Sequence, residues 1–182
     1  MKSLKLQYES EIAKAKDKLS GKLMINGDVN KAITIAREVI GTYLILGDDH
    51  CVAKSKFSLG RIYHQSDNYH LALIYYLDCL EIYKRLEDHF QQAKVQQSIG
   101  AVYEHFGDDH NAIVAYERSV DSAKIVGDKV LESDAYNPLS GIYLNQGKID
   151  QADIMLDKAM SMKNTAKDQK GMAFSLLRSR EC

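Results

Sequence analysis

The side chains best suited to chemistry in this sequence of 182 residues are six histidines and three cysteines. His70 and His110 stand forty residues apart, and each follows a turn that carries an aspartate. A divalent metal needs three or four ligands that converge from fixed positions. Two histidines on separate helices, about 8–10 Å apart in ordinary helix packing, do not supply them. We interpret both as solvent-facing residues at the start of a helix.

A denser cluster of potential ligands joins Glu104 and His105 to Asp108 and Asp109. Asp108 has a simpler role there, because aspartate after a glycine caps the next helix. The sequence therefore predicts no metal site. Cys51, Cys79 and Cys182 are scattered and form no CxxC pair, which is typical of reduced thiols in a cytoplasmic protein. A catalytic thiol is the alternative interpretation of these cysteines.

The sequence also lacks the motifs that bind phosphates or activate nucleophiles. Its glycines occur singly in turns, without GxGxxG, GxxxxGK[ST], GxSxG or HExxH spacing. We predict no catalytic residue, no cofactor and no enzymatic activity. The net charge of −1 does not favour a nucleic-acid partner. There is no signal peptide and no apolar run of the roughly 20 residues that a membrane span requires, so we expect a cytoplasmic protein without a membrane contact.

The organisation of the chain follows from a repeat of forty residues. Gly27, Gly107 and Gly147 share one position with Asp67, and four alanines recur at the same spacing: Ala32, Ala72, Ala112 and Ala152. Apolar residues between these markers follow the helical period, and Gly–Asp turns supply stop and start signals. We predict helix pairs over 7–46, 47–86, 87–126 and 127–166, with a C-terminal helix or truncated fifth repeat over 167–182, all within one domain, 1–182.

Small residues mark the place where the helices of a pair approach most closely. Gly60, Gly100 and Ser140 would face the alanines that recur every forty residues on the second helices, with Tyr63 and Tyr103 filling the adjacent space. Asn137-Pro138 lies within a predicted first helix. Because proline removes a backbone donor and restricts the residue before it, we expect a kink or a late helix start there.

Together these residues resemble the tetratricopeptide (TPR) repeat. The resemblance is carried by Leu59-Gly60-x-x-Tyr63 with Ala72-x-x-x-Tyr76-x-x-Cys79, and by Ile99-Gly100-x-x-Tyr103 with Ala112-x-x-x-Tyr116. It implies an all-α fold, a right-handed α-solenoid of about four helix pairs plus a C-terminal helix. Lys56 and Gln96 replace the usual tryptophan, and the usual closing proline is missing. The forty-residue period is similar to that of kinesin light chains, Pins-type proteins and bacterial signalling proteins.

The resemblance also implies a function, a protein–protein interaction scaffold that binds a peptide or protein segment. In this family the contacts come from the first helices, which line the concave groove. The corresponding positions here are Lys54, Phe57, Arg61, His64, Lys94, Gln97, His105, Asp134, Asn137 and Asn145. The repeated Lys/Asn clamp of chaperone-binding members is not reproduced.

Two alternatives remain open at this stage. In the first, the chain is the regulatory or sensory region of a larger bacterial signalling protein, a nucleotide cyclase or a kinase, with the output domain outside these residues. A homodimer is the second, because Phe174, Leu176 and Leu177 are apolar residues on a C-terminal helix without a partner.

Overall fold

The computed structural model describes the backbone of residues 2–178 and the side chains of residues 4–163. Over this backbone the chain is all helix, without a strand. The eight helices in chain order are α1 Lys2–Ile25, α2 Val29–Leu46, α3 Asp49–Gln65, α4 Tyr69–Arg85, α5 His89–His105, α6 Asp109–Val126, α7 Lys129–Asn145 and α8 Ile149–Arg178. The predicted all-α class and four helix pairs are confirmed.

The chain forms two compact units, which divide between Asp88 and His89. The first unit contains α1–α4 and the second contains α5–α8. Within each unit the helices of a pair pack together, and the second helix of one pair packs against the first helix of the next: α2 on α3, and α6 on α7. That residues 1–182 form a single domain stays a prediction.

Each turn contains one residue with left-handed backbone, and these residues are spaced twenty apart. Five of them are glycines, whose missing Cβ removes the steric cost of this conformation. Asp67 and Glu87 occupy the other two positions, with φ of 58° and 53°. This left-handed conformation costs conformational free energy in residues with a Cβ atom, because the Cβ lies too close to the following carbonyl oxygen.

Aspartates begin several helices as the sequence predicts. Asp48 accepts the backbone N–H of Cys51 at 2.9 Å, and Asp108 accepts that of Asn111 at 3.1 Å. The backbone hydrogen bond from Cys51 lowers the pKa of the Asp48 carboxyl. The pKa of the Asp108 carboxyl is lowered mainly by the Asn111 side-chain amide, which donates to it at 2.7 Å, and then by the Asn111 backbone N–H. Asp28, which follows Gly27 in the same way, differs from these two because its side chain makes no capping hydrogen bond to α2.

The close approach within each middle pair involves a tyrosine that the sequence did not predict there. A Cβ atom added to Gly60 would lie 2.7 Å from the ring of Tyr76, and one added to Gly100 would lie 2.7 Å from the ring of Tyr116. Ala72 also lies at this contact, because its carbonyl oxygen is 3.4 Å from the Cβ added to Gly60. The nearest atoms nevertheless belong to the tyrosine sixteen residues after the glycine.

Two features of the last repeat differ from the sequence-based expectations. α7 runs without interruption from Lys129 to Asn145 with Pro138 inside it, so a late helix start is wrong. α8 is continuous from Ile149 to Arg178, so no turn follows Asp168 and no separate fifth first helix begins there.

Candidate functional site

The first unit has a groove between α1 and α3 that holds two cavities. One has a volume of about 240 Å³ and brings Arg61 of α3 opposite Asp17 of α1. Its remaining lining residues come from the same two helices: Ser20, Gly21, Met24, Ile25, Ser58, Ile62 and Gln65. The cavity combines a guanidinium, a carboxylate, an amide and hydroxyls with apolar side chains.

The second cavity has a volume of about 380 Å³ and also reaches Asp17. It contains the predicted residue Lys54, together with Lys14 and Lys18 of α1. Lys14 forms an ion pair with Glu11 at 2.8 Å. Cations therefore line the groove on both helices, and Asp17 is the carboxylate shared by the two cavities.

Asp17 is half-buried, and this position determines its chemistry. Burial raises the pKa of the carboxyl, and the nearby Lys54 ammonium partly opposes the effect. A desolvated carboxylate gains more from an incoming N–H donor or cation than a carboxylate in water does. Asp17 is thus suited to accept a hydrogen bond from a bound segment.

Cys51 and Cys79 lie in surroundings that raise the pKa of a thiol. Burial is the main cause that raises the pKa of the Cys51 thiol, and its hydrogen bond to Asp48 acts in the same direction. Burial also raises the pKa of Cys79 to about 12. A reactive cysteine requires a lowered pKa, so these environments disfavour the catalytic-thiol alternative for both residues.

Two other predicted groove residues of the first unit pack against aromatic rings. The Phe57 ring lies 5.5 Å from that of Tyr76 between centroids. The Tyr76 hydroxyl lies 3.4 Å from His64 Nδ1, and the His64 ring meets Tyr69 edge-on at 5.4 Å. Both side chains help to position Tyr76, so their role is partly structural.

In the second unit, the predicted residues of α5 and α7 are engaged within the protein. Gln97 Nε2 donates a hydrogen bond to the carbonyl oxygen of Leu131 at 3.1 Å, which links the two first helices. Asp134 forms an ion pair with Lys163 at 3.8 Å. The Lys94 ammonium lies 5.4 Å above the ring of Phe90.

The remaining predicted residues, His105, Asn137 and Asn145, have exposed side chains. Beside them, Tyr116 donates a hydrogen bond to Glu104, and burial together with this contact raises the pKa of the Tyr116 hydroxyl. The ten predicted residues are therefore distributed over both units, and Lys54 and Arg61 are the two that line the cavities of the first unit.

The sequence-based prediction missed Asp17, although the repeat contains the signal for it. Asp17 lies forty residues before Phe57 and eighty before Gln97, both of which were predicted. Likewise Met24 corresponds to His64, and Ile25 to Gln65. The first repeat matches the TPR pattern weakly, so its first helix contributed no predicted site residue.

Residues 4–163 bring together no group of three or more histidine, cysteine, aspartate or glutamate side chains that could hold a metal ion. No helix in the described part of the chain is long and apolar enough to cross a membrane.

Comparison with known proteins identifies the family. The tetratricopeptide repeat profile matches residues 58–125, and a second profile of the same repeat matches residues 133–165. The chain belongs to the tetratricopeptide repeat family. No curated protein is recognisably similar in sequence.

Solved TPR structures share the fold at low sequence identity. BtubC (BKLC) from P. vanneervenii is 21% identical with a TM-score of 0.75, over 85% of this chain and 64% of BtubC. A STAND protein with a tetratricopeptide repeat sensor from Pyrococcus horikoshii is 21% identical with a TM-score of 0.77, over 91% of this chain and 26% of that protein. A putative kinesin light chain with nearly identical TPR-like repeats from Podosopora anserina is 16% identical with a TM-score of 0.71, over 87% and 77%.

These comparisons confirm the all-α TPR solenoid and the likeness to repeats of the kinesin light chain type. Because the identities are low, the structural likeness shows the fold alone. The chain spans about two-thirds of BtubC and a quarter of the STAND protein. TPR repeats are protein–protein interaction modules, so the chain is an interaction scaffold.

Proposed function

We propose that the groove between α1 and α3 of the first unit binds an extended peptide segment of a protein partner. The observation that carries this proposal is the placement of Arg61 and Asp17 in one cavity of about 240 Å³. A guanidinium binds a carboxylate through two parallel hydrogen bonds, and the carboxylate of Asp17 accepts a backbone or side-chain N–H. The two groups together fix the direction of a peptide.

The apolar residues of the groove would contribute the hydrophobic part of binding. Met24, Ile25 and Ile62 line the same cavity as the charged pair. Small-molecule and peptide sites commonly combine apolar walls with a few convergent polar groups. Lys54 and Lys18 in the adjacent cavity add attraction for acidic side chains. We expect a ligand with an acidic residue, an apolar residue and free backbone N–H groups.

The experiment is selection from a displayed library of random peptides against the purified chain. Enriched peptides are then measured by fluorescence anisotropy with the wild type, with Arg61→Glu and with Arg118→Glu. Arg118 is an exposed residue of α6 in the other unit. Arg118→Glu is a matched control, because it changes the net charge by the same amount as Arg61→Glu. We expect Arg61→Glu to weaken binding at least about tenfold, with Arg118→Glu unchanged.

A shared sequence pattern among the selected peptides that depends on Arg61 supports the proposal. Equal loss with both variants would show that net charge, and not the groove, determines binding. Retention of binding by Arg61→Glu would place the ligand elsewhere on the protein. Circular dichroism of each variant checks that the helices are intact.

The alternative is that these repeats form the sensory region of a larger signalling protein. It is favoured by the STAND protein, in which the matching TPR segment is 26% of that chain. An antibody against the purified chain tests this in source cells. A band at 20.5 kDa would contradict the alternative, whereas a much larger band would support it.

We also propose, from the resemblance alone, a cytoplasmic and non-enzymatic protein. The residues predicted for dimerisation, Phe174, Leu176 and Leu177, lie outside the described side chains.

A further inference from the structure

One face of α1 carries apolar side chains in contact with solvent. Ile12 is 40% exposed and Leu19 is 46% exposed. The residues forty positions later in α3, Val52 and Leu59, are 2% and 0% exposed. α3 is covered by the preceding second helix, α2. The α1 face therefore resembles in composition the α3 face, which the second helix of the preceding pair covers.

A matching surface lies on α8, the last second helix. Met160 is 63% exposed, but the corresponding residues Ile40 of α2 and Val120 of α6 are 8% and 4% exposed. α2 and α6 are each followed by a first helix that packs on them. α8 thus presents the surface on which a first helix packs, and α1 presents the complementary one.

The internal packing of the second unit gives the register of such a contact. Val120 of α6 and Leu139 of α7 belong to one hydrophobic cluster, and Ala123 and Leu131 belong to another. We transfer these contacts by whole forty-residue repeats, from α6 to the equivalent helix α8 and from α7 to the equivalent helix α1. The first pair then becomes Met160 of α8 opposite Leu19 of α1. The same shift converts the second pair into Lys163 opposite Glu11.

This last pair supplies charge complementarity where the internal repeats have apolar contacts. Glu11 and Lys163 are exposed residues of opposite charge at the two positions that the register brings together. Within one copy they form exposed ion pairs with Lys14 at 2.8 Å and with Asp134 at 3.8 Å, so assembly would exchange these ion-pair partners. The exposed apolar residues Leu19 and Met160 lie in the same register as this charged pair.

We propose that α8 of one copy packs on α1 of a second copy, so that the chain assembles head to tail through a continuation of its own repeat packing. The occupant of each face is a second copy of this chain. A head-to-tail contact uses different surfaces on the two partners. An open assembly therefore retains one unused α1 face at one end and one unused α8 face at the other.

Sedimentation velocity of the full chain from micromolar to millimolar concentration tests this assembly. We expect the average mass to rise with concentration above the monomer mass of 20.5 kDa. Leu19→Glu and Met160→Glu each place a charge in the proposed interface, and each variant alone is expected to remain monomeric. Ile125→Glu, at an exposed apolar position outside both faces, is the control and should assemble like the wild type.

The decisive sample is an equimolar mixture of Leu19→Glu and Met160→Glu. One variant keeps an intact α8 face and the other keeps an intact α1 face, so the mixture should form a dimer and stop there. Charge reversal offers a second mixture, because Glu11→Lys and Lys163→Glu should each weaken assembly and restore it together.

Three results would overturn the proposal. The first is a wild-type chain that is monomeric at every concentration. The second is a mixture of the two interface variants that stays monomeric although the wild type assembles. The third is assembly that persists in either Leu19→Glu or Met160→Glu alone, since each of these variants lacks one of the required faces.

Discussion

The first helices of the two units share one repeat pattern but differ in how they contact each other. In the second unit, the Gln97 side chain donates to the carbonyl of Leu131 and links α5 to α7. In the first unit, the residue equivalent to Gln97 is Asp17 and the carbonyl equivalent to that of Leu131 belongs to Cys51. An ionised aspartate has no donor for a carbonyl, so this link cannot form.

Asp17 lines both of the cavities that lie between α1 and α3. In our proposal, the same repeat position has two roles. In the second unit the Gln97 amide connects neighbouring first helices, and in the first unit the Asp17 carboxylate accepts a hydrogen bond from a bound segment.

The largest effect is expected from filling the groove. Gly21 in α1 and Gly141 in α7 are equivalent positions, and neither has an atom within 4 Å of an added Cβ. Gly21→Leu should occupy the cavity and weaken the selected peptide about a hundredfold, or about 2.7 kcal/mol. Gly141→Leu should leave the affinity unchanged. Anisotropy titrations measure both, and equal affinities for the two variants would contradict the assignment of the groove to the first unit.

A second comparison concerns the glycine–tyrosine contacts of the two units. Gly100→Ala places a Cβ 2.7 Å from the Tyr116 ring, and we expect a loss of about 1–3 kcal/mol in the free energy of unfolding. Gly60→Ala should cost less, because the Tyr76 hydroxyl contacts a His64 ring nitrogen at 3.4 Å, whereas the Tyr116 hydroxyl donates a charge-assisted hydrogen bond to the carboxylate of Glu104. Urea denaturation gives both values. The reverse order would show that the hydroxyl contacts do not hold the rings in place.

Exchanging the two side chains should exchange the behaviour of the two units. Asp17→Gln introduces a donor toward the carbonyl of Cys51 and should stabilise the protein by about 1 kcal/mol while weakening peptide binding. Gln97→Asp removes the existing link and should destabilise it by a similar amount. Urea denaturation and anisotropy measure the two effects. Unchanged peptide affinity in Asp17→Gln would contradict the role of Asp17 in the groove.

The smallest expected effect lies in the turns. All the left-handed turn residues of the second unit are glycines, whereas the first unit has Asp67 and Glu87 at two of these positions. Glu87→Gly removes the strain of a side chain at φ of 53° and should raise the free energy of unfolding by about 0.5–1 kcal/mol. Thermal unfolding with Glu81→Gly, a mid-helix control that should be destabilising, checks the sign.

The sequence predicts the fold well because the signals that determine it are local. A glycine ends a helix and an aspartate begins the next one, as at Gly107 and Asp108, and both signals recur at fixed spacing. The prediction that the fourth repeat ends at residue 166 failed because the local stop signal is absent there. Position 167 corresponds to Gly127 but is a lysine, and the helix continues through it.

The candidate site was only partly predictable, since it depends on contacts between helices that are distant in sequence. Arg61 and Lys54 were found from their position on a first helix. Whether Gln97 faces a ligand or a neighbouring carbonyl depends on the backbone of α7, thirty-four residues away. No local pattern contains that information.

The packing of each helix on its sequence neighbours also has a consequence for how the protein forms. Within each unit, every pair of helices in contact is adjacent in sequence or separated by one helix. Proteins built from such short-range contacts fold quickly, because little loop-closure entropy is lost before the contacts form. The helices of a pair can therefore meet while later repeats are still being synthesised, and the stacking of those repeats then completes the core.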